Sequence, residues 1–140
     1  MDDIQRLEEI ARELLEAFEI HTPPVPIESM LQRPKEGMWE EVDINQLSGT
    51  FLSIKDQFSP RMSLARLLAR HVAGSDWGKA RGVLEILRRD EENIRAFARM
   101  IVMPADIVRG LSSGARNPTI MSLQFEVPED DARQRLDELL

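Results

Sequence analysis

The chain contains no cysteine, which excludes a disulfide, a thiolate metal ligand and a cysteine nucleophile. Histidine is nearly as scarce. His21 and His71 are the two in the chain, far apart, so no pair of imidazoles at helical spacing exists to hold a metal. Glycine is thin as well. Gly49 and Gly110-x-x-x-Gly114 lack the dense pattern ahead of a helix that cradles phosphate. Ser48, Ser53, Ser59 and Ser63 have no histidine–acid pairing in sequence, so a serine nucleophile is not expected. No apolar run approaches the ~20 residues a membrane span needs. Met1-Asp2-Asp3 is acidic and leads directly into an amphipathic pattern, unlike a signal peptide, and the expectation is a cytoplasmic protein. Basic residues are in deficit, 18 against 25 acidic, for a net charge of −7. That balance argues against nonspecific attachment to nucleic acid or an anionic membrane. Many of the arginines that do occur lie between Arg61 and Arg99.

What is present suits a single domain over residues 1–140. The length can close one core, and 42% hydrophobic with 31% charged residues describes a folding chain, not a disordered one. Asp2 or Asp3 caps a first helix whose apolar stripe is Ile4, Leu7, Ala11, Leu14, Leu15 and Phe18; it should end near Ile20-His21, before Pro23 and Pro24. Residues 25–31 read as a short helix. Residues 38–43 read as a short strand, and residues 47–54 as a better one, with Phe51 and Ser53 on one face and Leu52 and Ile54 on the other. A helix from Arg61 to Val72 follows, closed by Gly74-Ser75-Asp76. Residues 79–103 are helical, as one helix or as two joined near Arg89-Asp90. A short helix starts at Pro104-Ala105-Asp106, a loop spans 112–118, and Glu129 to Leu140 is a closing helix with Ala132, Leu136 and Leu139 inward. The expected class is α+β, mostly helical, with a small sheet beside the central helix.

The central run is Arg61-Met62-Ser63-Leu64-Ala65-Arg66-Leu67-Leu68-Ala69-Arg70. Downstream stand Glu91-Glu92-Asn93-Ile94-Arg95-Ala96-Phe97-Ala98 and Ile101-Val102-Met103-Pro104. Upstream are Ala17-Phe18-Glu19-Ile20, Pro23-Pro24-Val25-Pro26 and Leu47-Ser48-Gly49. The tail carries Phe125-Glu126-Val127 and Arg135-Leu136. In order and spacing this set resembles the ImmA/IrrE-type metallopeptidases, a zincin-like family that includes cleavers of phage and stress-response repressors. The resemblance covers nearly the whole chain. It implies a zincin-like core, in which a substrate peptide adds to the edge of a strand beside the active helix.

The departures from that family matter more. Its members carry Ala-His-Glu-Leu-Gly-His, two zinc ligands and a base. Aligned on Ala65, the ligand positions hold Arg66 and Arg70, and the base position holds Leu67. Arginine stays protonated and cannot ligate zinc, and leucine cannot take a proton. The third ligand position keeps Glu91. The resemblance therefore implies a pseudo-peptidase with no catalytic residue and no cofactor. Arg66, Arg70 and Glu91 are expected to form an ionic cluster in the old metal pocket, with Leu67 filling the place of the base. Gly49, Thr50 and Phe51 would supply the binding edge. A metal site on His71 and Glu91 is a weaker alternative. His71 more simply suits the negative end of a helix dipole. The leading expectation is a protein- or peptide-binding regulatory module whose partner is a transcriptional regulator or a phage or toxin–antitoxin component. The alternatives are an active endopeptidase with unorthodox ligands and a subunit that forms a homodimer. Arg95 to Arg109 and the turn at Phe125-Glu126-Val127-Pro128 invite a helix-turn-helix reading, but the acidic last helix would repel phosphates, so no direct contact with nucleic acid is expected.

Overall fold

The computed structural model describes residues 2–46 and 58–139. Helix α1 (Asp3–Ala17) starts where the Asp2 carboxylate accepts from the Gln5 N–H at 2.8 Å. It buries Leu7, Ile10, Ala11, Leu14 and Leu15. It stops short of the expected end, because Glu19 adopts a left-handed φ of 57° and the Ile20 N–H turns back to the Leu15 carbonyl at 3.0 Å. Helix α2 (Ile27–Gln32) follows Pro26, and a 3-10 turn covers Ile44–Gln46.

Helix α3 (Ser59–Gly74) begins earlier than the apolar pattern indicated. Pro60 sits in its first turn, where a missing N–H costs nothing. Helix α4 (Asp76–Ala80) is capped by Ser75, whose hydroxyl accepts from the Gly78 N–H at 3.0 Å and donates to the Val72 carbonyl at 2.7 Å. Gly82, with φ of 78°, breaks the chain before α5 (Val83–Arg89). Asp90 then accepts from the Glu92 N–H at 2.9 Å as α6 (Glu92–Val102) begins. The stretch 79–103 is thus broken twice, at Gly82 and at Asp90. Helices α7 (Ala105–Arg109), α8 (Pro118–Phe125) and α9 (Glu129–Leu139) complete the described chain. Asn117 caps α8 by accepting from the Ile120 N–H at 2.9 Å.

No strand occurs among the described residues, which overturns the α+β expectation and the small sheet of a zincin-like core. Residues 38–43 are irregular for a visible reason. The Val42 N–H at 3.1 Å and the Trp39 indole N–H at 3.2 Å both donate to the Leu31 carbonyl, at the end of α2. The Val42 N–H, a backbone donor that a strand ladder would have used, instead satisfies a helix terminus. Residues 47–54, expected as the second strand, lie outside the described residues, apart from which the architecture is all-helical.

The core is built on α3 and α6, which pack along each other, with α1 laid against α6 and α2 against α3. Ala65 and Ala69 of α3 and Ala96 of α6 are buried, and they share one apolar core with Leu68, Val72, Phe97, Met100 and Ile101. Helices α8 and α9 pair and close the structure over α6. No helix of the described chain is long and apolar enough to cross a membrane.

Candidate functional site

Helix α3 carries the positions that the resemblance marks. Arg66 is half-buried and donates from Nη2 to the hydroxyl of Ser63, one turn earlier, at 3.1 Å. Partial burial lowers its pKa, the charge of Asp131 on α9 opposes that shift, and the charges of Arg70 and of Arg95 on α6 add to it. Arg70, one turn on, is exposed and makes no ion pair among the described residues. Glu91 is exposed at the start of α6 and makes none either.

The expected cluster of Arg66, Arg70 and Glu91 is therefore not assembled. A third guanidinium, from Arg95, stands near Arg66, and the carboxylate bearing on it belongs to Asp131. The cause is the break at Asp90, which leaves Glu91 in the exposed first turn of α6 while Arg95 falls one turn further along. Leu67 is partly buried against the core. His71 lies in the last turn of α3, and burial lowers its pKa. No three His, Asp or Glu side chains converge on a metal-sized space among the described residues, and the alternative pair His71 and Glu91 has no companion there. Gly49, Thr50 and Phe51 lie outside the described residues.

Three other arginines are locked into the fold. Arg61 donates to the carbonyls of Phe125 (2.8 Å), Glu126 (3.1 Å) and Val25, and pairs with Glu28 at 3.4 Å. Arg135 is fully buried, with its Nη1 and Nη2 on the two oxygens of Glu8, Nε on the Met103 carbonyl at 2.8 Å, and Nη1 also 3.4 Å from Glu138. Arg99, 8% exposed in its side chain, meets Glu138 at 2.6 Å and Glu92 at 3.9 Å. Helices α1, α6 and α9 are thereby joined by one charged chain.

A groove of about 590 Å³ opens beside this chain, between α1 and α7. Ala11 and Leu15 of α1, Met100 of α6, and Ile107 and Leu111 at α7 give it apolar walls, while Glu8, Arg12, Asp106 and Arg109 supply polar groups. Sequence reasoning missed both the groove and the Glu8–Arg135 pair. The signal was available in part. Glu8, Ala11, Arg12 and Leu15 recur at i, i+3, i+4 and i+7 along one side of α1, beside the core stripe. Arg135 follows Ala132 by three residues, which puts it on the inward face of α9.

The chain matches no family model, no curated protein and no solved structure.

Proposed function

We propose that this chain is a non-catalytic binding module that receives a protein or peptide segment, related by its motifs to the ImmA/IrrE-type metallopeptidases. The observation that carries the binding reading is the groove between α1 and α7. Its volume lies in the range of sites that bury a ligand, and its apolar walls carry a few polar groups at the edge. The non-catalytic half of the reading rests on side-chain chemistry. Arg66, Leu67 and Arg70 occupy the positions where the resemblance requires two ligands and a base, and none can serve. Strand addition at residues 49–51 is not part of this proposal. By the same resemblance, the partner is a segment of a transcriptional regulator or of a phage or toxin–antitoxin component.

The test is a displayed peptide library selected on the wild-type protein and counter-selected on Ile107→Arg, which places a charge in the groove wall. A family of peptides that binds the wild type and is lost on the variant, with the variant's melting unchanged, is the expected result. Enriched peptides that bind both proteins equally would overturn the groove as the site. Elemental analysis of protein purified without chelator or histidine tag tests the other half, with fewer than about one zinc per ten chains expected. Near-stoichiometric zinc that EDTA removes would return the chain to the peptidases.

A further inference from the structure

The arginines of this protein divide into two groups. Arg61, Arg99 and Arg135 have little exposure, and each is met by carboxylates or carbonyls from other elements. Arg81, half-buried, is held by Glu13 at 3.0 Å, by the Trp77 carbonyl at 3.1 Å and by the Trp77 ring 3.8 Å below it. These are structural arginines, with their donors answered by the fold. Arg66 is different. It is half-buried, yet among the described residues it makes one hydrogen bond, to Ser63, and no ion pair. The other arginines without an ion pair there (Arg33, Arg70, Arg88, Arg109 and Arg116) are all exposed, where water answers them.

Arg66 also has like charges for company. Arg70 is four residues on along the same face of α3, and Arg95 approaches from α6; both bear on Arg66 electrostatically. Like charges at this spacing repel, and partial loss of hydration makes the repulsion stronger. Other charges are near. Asp131 bears on Arg66, and Glu92 lies 3.2 Å from Arg95 but is shared with Arg99 at 3.9 Å. Among the described residues, Arg66 and Arg70 still keep donors that no carboxylate or carbonyl answers, and a guanidinium presents its donors as a fork that fits a compact oxyanion.

We propose that Arg66, Arg70 and Arg95 form a binding site for a phosphate monoester. Asp131 bears on Arg66 and Glu92 pairs with Arg95, so a long polyanion such as a nucleic acid backbone would meet acids beside the arginines. A single tetrahedral dianion concentrates its charge in the space of one group and can engage two or three guanidiniums at once. This proposal does not depend on the groove between α1 and α7, none of whose lining residues belongs to the site.

The test is titration of the whole chain with inorganic phosphate, followed by the arginine Nε–H and backbone amide resonances, against sodium chloride at matched ionic strength. Saturable shifts centred on Arg66 and Arg70 are expected. Arg66→Gln and Arg70→Gln should each weaken binding at least tenfold, and Arg116→Gln should not. Arg66→Lys, which keeps the charge and loses the fork, should be intermediate and guards against a folding defect in Arg66→Gln. A second arm uses a short peptide containing phosphoserine and its serine counterpart. Tighter binding of the phosphopeptide than of inorganic phosphate assigns the ester to a protein partner; equal binding assigns it to a small phosphate-bearing molecule. Shifts no larger than those from chloride, or equal weakening by Arg116→Gln, would overturn the proposal.

Discussion

At the scale of single residues, the burial of charge separates positions that the sequence presents alike. Arg135 has no exposed surface, and its neutralising partner is Glu8, on the first helix of the chain. Removing one member of such a pair leaves the other charged and dry. Glu8→Ala is therefore expected to cost about 3 kcal/mol in chemical denaturation. The double variant Glu8→Leu with Arg135→Met should recover most of that loss, since an apolar pair needs no counter-charge. Glu91 is the contrasting case. It is exposed and unpaired among the described residues, so Glu91→Ala should change stability by no more than about 0.5 kcal/mol. His71 gives a pH dependence whose sign follows from its burial. Its pKa in the folded chain is below the ordinary value of 6.5, so the unfolded chain takes up the proton first. Stability is then full above pH 6.5 and falls as the pH drops from there through the lowered folded value. Melting scans from pH 7.5 down to 5.5 should show a larger loss for the wild type than for His71→Gln.

Among the elements, the corner between α3 and α4 is the tightest joint. The cap on Ser75 turns the chain so sharply that a Cβ on Gly78 would lie 1.8 Å from the Val72 carbonyl oxygen. Both atoms belong to backbone or are fixed to it, so no side chain can move aside. Gly78→Ala should destabilise the protein by about 3 kcal/mol or more, read from the urea midpoint, although alanine favours a helix interior elsewhere. The same corner lets the Trp77 N–H reach the Gly37 carbonyl at 2.9 Å, which fixes the turn after α2. Helix α6 depends in a similar way on Asn93. Its amide donates to the Ile86 carbonyl at 2.9 Å and joins α5 to α6 across the break at Asp90.

For the whole molecule, Arg61 is the residue that holds distant parts together. From the first turn of α3 it reaches Val25 ahead of α2, and the carbonyls of Phe125 and Glu126 between α8 and α9. Replacing it with methionine leaves those carbonyls short of a donor, at a cost of about 2 kcal/mol or more. Hydrogen exchange should show α8 and α9 opening earlier than α3 and α6 in that variant. Equal protection of all four helices would mean that apolar packing by Met121, Phe125, Val127 and Ala132 holds the pair without Arg61.

The helical segments were legible because their information is local. Asp2 and the apolar stripe of α1 act within one or two turns, and α1 begins where they place it; helix α8 was not expected, although Asn117 and Pro118 mark its start. The strand expected at residues 38–43 failed because alternation of side chains says nothing about where backbone donors find acceptors. There the Val42 N–H found its acceptor at the end of α2. The arrangement of charges was likewise decided in three dimensions. That Arg66 stands beside Arg95 and not Glu91, that Arg135 finds Glu8, and that α1 and α7 leave a groove between them all follow from how the helices pack. Packing depends on contacts between residues far apart in the chain, and no spacing within one segment encodes them.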